Sequence, residues 1–201
     1  MSIPQLHSST ELIISQRMAA ELEDYLKSDV LYWHVSEPNP LGSHMPQLTI
    51  GALLEALTRA EVGRADLLPG QQKELEAVRQ QIDRVRAAHP ALYVNKAIHE
   101  LHSRLTAYRA NLADAQRKTK GLYAQDARVR AKICLLEQAL GPETPLGPDV
   151  TPELQQQREQ IDQELNEVFV PGEFIWDARL QTAFPKDPCW WLYGHLLEEH
   201  F

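Results

Sequence analysis

The first candidate for chemistry in this 201-residue chain is a pair of histidines. His99 and His102 stand three residues apart, so their imidazoles would be neighbours on a helix and could share a metal ion. A protein metal site needs at least one more ligand, and the pattern differs from H-E-x-x-H. We expect solvated histidines at a helix edge and no cofactor. A helical-bundle metalloprotein or enzyme that uses this pair is kept as an alternative hypothesis.

A second candidate is a basic cluster near the middle of the chain, in residues 117–132. Lys118, Lys120, Arg128 and Arg130 would lie at the tip of a predicted helical hairpin. Such a tip could bind nucleic-acid phosphates and release their counterions. Few aromatic residues accompany it, however, so a base-stacking surface is not indicated. Nucleic-acid binding at this tip is therefore a further alternative hypothesis.

The charge distribution favours a different use of these cations. The net charge of −8 divides into −5 for residues 1–70, +7 for residues 71–132 and −10 for residues 133–201. Residues 152–168 carry five acidic side chains and one basic one. Packed along the basic helices, this segment would neutralise them, as flanking charges do in coiled coils.

A third candidate is the aromatic end of the chain, residues 169–201, which holds eight of the 14 aromatic side chains. Trp190, Trp191 and Tyr193 are residue types enriched at binding hot spots, so they could contact a protein partner. The interpretation we favour is an irregular hydrophobic tail that packs on the N-terminal part of the protein. Its expected partners there are Tyr32 and Trp33.

Other catalytic and targeting patterns are missing from the sequence. It contains no G-x-S-x-G, no P-loop and no dinucleotide fingerprint, so it favours no enzymatic activity. Cys134 and Cys189 are too few and too far apart for a disulfide framework or a zinc site. No signal peptide and no apolar run of about 20 residues is visible, which predicts a cytoplasmic protein with reduced thiols and no membrane contact.

The elements that position these residues are helices. Apolar residues recur at helical spacing, and prolines and glycines mark the breaks. The longest regular pattern is a heptad seam made of Ile98, Leu101, Leu105, Tyr108, Leu112 and Ala115. The predicted helices cover residues 9–27, 49–63, 71–88, 91–118, 122–140 and 152–168.

The sequence therefore predicts a single all-α domain spanning residues 1–201. We expect an elongated helical bundle with a long antiparallel, coiled-coil-like hairpin and an irregular aromatic tail. The composition allows a minor β pairing between the chain ends, in residues 29–35 and 172–178. The leading functional hypothesis is a protein–protein interaction or scaffolding module that self-associates as a homodimer or binds a protein partner.

Overall fold

The computed structural model describes residues 5–36, 45–115, 123–141 and 150–197, and these residues are mainly helical. They contain seven α-helices and two short strands. The elements are α1 (Ser8–Ala20), α2 (Leu22–Lys27), α3 (Ile50–Val62), α4 (Pro69–Ala88), α5 (Pro90–Ala115), α6 (Tyr123–Leu140), α7 (Val150–Glu167), β1 (Phe169–Phe174) and β2 (Tyr193–Leu196). Short 3₁₀ turns occupy Arg64–Asp66, Ala178–Thr182 and Trp190–Leu192. The predicted helical bundle with minor β pairing is confirmed.

One predicted helix is divided. Residues 9–27 form α1 and α2, which meet at Glu21. The Glu21 carboxylate accepts hydrogen bonds from the indole Nε1 of Trp33 at 2.6 Å and from the backbone nitrogen of Ser36 at 2.8 Å. These bonds fix the returning chain beside the break, and the spacing of apolar residues gave no sign of them.

The chain divides into two compact units, and the boundary falls between Glu100 and Leu101 within α5. The N-terminal unit comprises residues 6–100, and the C-terminal unit comprises residues 101–201 with residues 1–5.

In the N-terminal unit, α1 packs against α3 and α4 around a buried apolar core. A partly buried ion pair between Arg59 Nε and Glu11 Oε1, at 2.6 Å, links α3 to α1. The buried carboxylate of Glu100 accepts a hydrogen bond from the backbone nitrogen of Gly51 at 2.8 Å. A negative charge at the first turn of α3 favours the helix because its N-terminal amides point outward.

The tail forms its own β pairing inside the C-terminal unit. Strands β1 and β2 are antiparallel, and Val170 lies opposite His195 in their register. The segment around Trp33 has a separate partner, because Trp33 and Leu48 exchange backbone hydrogen bonds of 3.1 and 2.8 Å. Strand pairing is thus present, but it does not join residues 29–35 to residues 172–178.

The tail is attached to α6 by hydrogen bonds as well as by packing. The Tyr123 hydroxyl donates to the carbonyl oxygen of Trp191 at 2.6 Å, and the Trp176 indole donates to the carbonyl oxygen of Ala124 at 3.1 Å. Tyr123 also contacts Phe169, with ring centres 6.2 Å apart. The buried rings of Tyr123 and Trp176, whose polar atoms are hydrogen-bonded, help to hold the irregular tail in place.

Candidate functional site

Arg130, predicted to lie on the exposed hairpin tip, is buried inside the C-terminal unit. Its guanidinium makes a two-pronged ion pair with Asp162 of α7, with an Nε–Oδ1 distance of 3.0 Å and an Nη2–Oδ2 distance of 2.8 Å. The guanidinium carbon lies 4.1 Å from the ring centre of Trp191, a cation–π arrangement. Arg130 therefore joins α6, α7 and the tail, and it does not face solvent where a phosphate could bind.

The surroundings keep Arg130 charged. Burial disfavours a charged guanidinium, but the hydrogen bonds and charge of Asp162 outweigh this effect, so the pKa of Arg130 is raised. Glu137 lies farther away, with its Oε2 atom 3.9 Å from Nη1 of Arg130. Burial raises the pKa of Glu137 despite its two cationic neighbours, Arg130 and Arg158. Asp162 is thus the main counter-ion of Arg130.

The other predicted tip residues are placed differently. Arg128 is exposed on α6. Lys118 and Lys120 lie outside the described residues. Arg128 is therefore the member of this trio that the described residues place on the surface.

Acidic residues of α7 meet cations of the preceding helices, as the charge blocks indicated. Asp162 binds Arg130 of α6, and Glu164 binds Arg109 of α5 with an Oε1–Nη2 distance of 2.7 Å. The first pair is buried on the Arg130 side, whereas both members of the second pair are exposed. Two cations of the basic segment 71–132, Arg109 and Arg130, are therefore paired with acidic residues of α7 within the C-terminal unit.

One face of α7 and the tail together line a groove of about 480 Å³. The helix residues stand at positions i, i+3, i+4 and i+7, which share one face of an α-helix. The lining residues are Glu159, Asp162, Gln163, Asn166 and Trp190. The groove thus combines two carboxylates, two side-chain amides and one indole ring.

Trp190 forms the aromatic wall of this groove and is half-buried. Its ring meets Phe169 edge to face, with centres 5.1 Å apart and an interplanar angle of 84°. It meets Trp191 at 6.3 Å and 78°. These contacts fix the indole, while its half-exposed surface remains available to a ligand.

The neighbouring aromatic candidates have structural roles. Trp191 is buried beneath Arg130, and its carbonyl oxygen accepts the Tyr123 hydroxyl. Tyr193 is half-buried and donates its hydroxyl to the carbonyl oxygen of Phe184 at 2.9 Å. Trp190 is therefore the one of these three predicted contact residues that lines the groove.

His99 and His102 are both exposed on α5. Within the described ranges, no group of three or more histidine, cysteine, aspartate or glutamate side chains is arranged to hold a metal ion. The structure therefore brings no further ligand to this pair in the part of the chain that it describes.

The sequence predicts that the acidic residues of α7 neutralise the basic helices, but it does not indicate that any groove residue of α7 binds a ligand. The sequence does hold a signal for this face of α7, because Glu159, Gln163 and Asn166 recur at helical spacing. They lie beside the buried apolar stripe of the same helix, which consists of Leu154, Ile161 and Leu165. That spacing marks a common exposed face, but it does not reveal that Trp190 closes the face into a groove.

Comparison with known proteins gives no family assignment. No protein-family model matches the chain, and no curated protein or solved structure matches it. Among the described helices, none has the length and apolar character needed to cross a membrane.

Proposed function

We propose that this protein is a protein–protein interaction module that binds a basic segment of its partner in the Trp190 groove. The observation that carries the proposal is the placement of Trp190 beside the acidic, amide-rich face of α7. A scaffolding role follows from this binding and requires no enzymatic step.

Charge supports a cationic occupant. Residues 133–201 carry 13 acidic and three basic side chains. Glu159 lies 3.6 Å from Nη2 of Arg158, but its side chain is 53% exposed, so its carboxylate stays accessible at the groove. Anionic ligands would be repelled by this surface, whereas arginine or lysine side chains would be attracted to it. The amide oxygens of Gln163 and Asn166 can accept hydrogen bonds from a guanidinium or an ammonium group.

The aromatic wall supports the same occupant. A cation over an indole face gains about 0.5–1 kcal/mol at an exposed site, and tryptophan is the best such ring. Tryptophan is also among the residue types most enriched at interface hot spots. Trp190 can therefore contribute both apolar contact area and cation–π attraction to an arginine side chain.

The groove is also held in position before a partner arrives. Arg130 fixes the Asp162 carboxylate, and Phe169 and Trp191 fix the Trp190 ring. Groups that are already ordered lose little conformational entropy on binding. This pre-organisation is a reason to choose the groove over the other exposed acidic positions of α7.

The proposal can be tested with a fluorescein-labelled hexa-arginine peptide and the full chain, by fluorescence anisotropy. Glu159→Lys should weaken binding by about tenfold, because reversing one charge near a bound cation changes the Coulomb energy by about 1–2 kcal/mol. Trp190→Leu keeps an apolar side chain and should weaken binding about threefold, through loss of the cation–π attraction.

The matched control is Glu153→Lys, which makes the same charge change at an exposed position of α7 that does not line the groove. It should leave the affinity within about twofold of the wild-type value. Equal weakening by Glu153→Lys and Glu159→Lys would show non-specific attraction to an acidic surface and would contradict the proposal.

Self-association is the form of this proposal that the chain itself suggests, because residues 71–132 provide a basic block with 13 basic and six acidic side chains. We propose a cytoplasmic homodimer in which such a basic segment occupies the groove of the second copy. Sedimentation velocity at micromolar concentration should detect a dimer that Glu159→Lys weakens. A monomer under these conditions would contradict the homodimer, and the basic segment in the groove would then belong to a different protein.

A further inference from the structure

Arg158 is the one basic residue in the sequence of α7, and its side chain lies between two carboxylates. Its Nε atom is 3.6 Å from Oε1 of Glu137 on α6, and its Nη2 atom is 3.6 Å from Oε1 of Glu159 on α7. Because the two distances are equal, the guanidinium is shared between the two acidic side chains. Glu159 lines the Trp190 groove, and Glu137 does not. Arg158 therefore connects a carboxylate of the groove to one outside it.

The contact between Arg158 and Glu137 is shielded from water more than the contact with Glu159. The side chains of Arg158 and Glu137 are 28% and 30% exposed, whereas that of Glu159 is 53% exposed. The Nε atom of Arg158 is buried, and it has no hydrogen-bond acceptor among the described residues. Attraction between charges is stronger where water screens it less. Ionised Glu137 therefore draws the guanidinium away from Glu159.

The surroundings of Glu137 oppose its negative charge. Burial raises the pKa of Glu137, and the positive charges of Arg130 and Arg158 offset this effect only in part. Among the described residues, the charged and titratable groups that face Glu137 are Arg130 and Cys134 of α6 and Arg158 and Asp162 of α7. Glu137 consequently takes up a proton at a higher pH than an ordinary glutamate does.

We propose that Glu137 sets the affinity of the Trp190 groove for a basic segment by holding Arg158 away from Glu159. The inference rests on the proposed function of the groove and states how that binding is regulated. When Glu137 is ionised, Arg158 is shared, and Glu159 can attract a cation of the partner. When Glu137 is protonated, Arg158 pairs with Glu159 and competes with that cation. Glu137 is thus a positioning residue, and binding weakens as the pH falls.

Arg158 is better suited to this role than Arg130, the other cation beside Glu137. Arg130 already makes two hydrogen bonds with Asp162, at 3.0 and 2.8 Å, so loss of the Glu137 charge brings it no closer to the groove. Arg158 makes only longer contacts of 3.6 Å, which leaves it free to shift between its two carboxylates. By linkage, a bound cation that takes up Glu159 should in turn favour the ionised form of Glu137.

The experiment measures the affinity of the full chain for hexa-arginine by fluorescence anisotropy at pH 7.5 and at pH 5. The peptide carries tetramethylrhodamine, whose emission changes little over this range. Glu137→Gln imitates the protonated side chain and should weaken binding about threefold at pH 7.5, with a smaller difference from the wild type at pH 5. Comparing the two proteins at each pH cancels the contribution of the histidines.

The matched control is Glu153→Gln, which removes the same charge from an exposed position of α7 outside the groove. It should change the affinity less than about twofold, by the same factor at both pH values. A difference confined to Glu137→Gln would exclude a general effect of net charge.

A second variant tests whether Glu137 acts through Arg158. Arg158→Gln removes the shared cation, so it should tighten binding about twofold at pH 7.5 and more at pH 5. Glu137→Gln added to Arg158→Gln should then change the affinity little. If Glu137 only supported the fold, its replacement would weaken binding equally with and without Arg158.

The possible failures are distinguishable. Absence of hexa-arginine binding by the wild-type chain at pH 7.5 would refute the groove proposal and this inference with it. Measurable binding with the same effect of Glu137→Gln at both pH values, or with and without Arg158, would overturn the inference and leave the groove proposal intact. Where Glu137→Gln fails to fold, the wild type and Arg158→Gln decide, because a constant ratio of their affinities between the two pH values would also overturn it.

Discussion

Replacing Asp162 by asparagine tests the buried ion pair that joins α6, α7 and the tail. The substitution keeps the size of the side chain and one carbonyl oxygen, but it removes the negative charge. Arg130 would retain one acceptor at this position and would lose its main counter-ion. Its guanidinium is 3% exposed, so water cannot replace the lost charge.

The magnitude follows from these distances and exposures. Breaking a buried ion pair by removing one partner costs about 3–5 kcal/mol. The Asp162 side chain is 20% exposed, and Glu137 lies 3.9 Å from the guanidinium, so both water and a second carboxylate reduce the cost. We therefore expect Asp162→Asn to lower the free energy of unfolding by about 2–3 kcal/mol.

The control is Glu164→Gln, which removes a carboxylate from an ion pair on the same helix. Its partner Arg109 is 53% exposed, and Glu164 is 45% exposed. An exposed pair of this kind contributes at most about 1 kcal/mol. Urea unfolding followed by circular dichroism at 222 nm and by tryptophan fluorescence would measure both variants.

A second variant separates the stranded charge from other damage. Arg130→Met added to Asp162→Asn removes the unpaired cation, so the double variant should regain part of the lost stability. A stability loss for Asp162→Asn no larger than that for Glu164→Gln would show that the buried ion pair with Arg130 contributes no more than an exposed one. So would a double variant that is less stable than Asp162→Asn alone.

Two further predictions concern the strand pair and a buried phenol. Gly194→Ala should destabilise the protein by about 2 kcal/mol, because a Cβ there would overlap the carbonyl oxygen of Val170. Gly172→Ala in the same sheet should change stability little, because a Cβ there meets only ordinary contacts. Thermal unfolding measures both variants, and equal effects would contradict close packing at Gly194. Burial raises the pKa of Tyr93 to about 12, above the value near 10 of an unfolded phenol. The stability that the neutral Tyr93 phenol contributes is therefore present below pH 10 and is lost as the pH rises from 10 to 12. Tyr93→Phe should flatten this part of a plot of unfolding free energy against pH. An unchanged slope would contradict the raised pKa of Tyr93.

The helices were predictable because each buries one continuous apolar face. The seam residues Leu101, Leu105, Tyr108 and Leu112 are all buried, as heptad spacing requires. The predicted helix over 122–140 and the observed Tyr123–Leu140 differ by one residue at the start. Local spacing and proline or glycine breaks carry this information, so no tertiary contact is needed to read it.

The candidate site was not predictable in the same way, because its geometry comes from residues far apart in the chain. The predicted hairpin places Arg130 on a solvated tip, because unpaired arginine side chains are almost never fully buried. Its burial depends on Asp162 and Trp191, which no local pattern near Arg130 indicates. Trp190 was recognised by its residue type, but its position against α7 required the fold.

Binding of a basic segment in the Trp190 groove is best tested by the affinity of the full chain for labelled hexa-arginine, compared between Glu159→Lys and Glu153→Lys. Both variants carry the same change in net charge on the same helix, and one of the two positions lines the Trp190 groove. We expect binding to be about tenfold weaker for Glu159→Lys and nearly unchanged for Glu153→Lys. Wild-type affinity for Glu159→Lys, or an equal loss in both variants, would contradict binding in the groove.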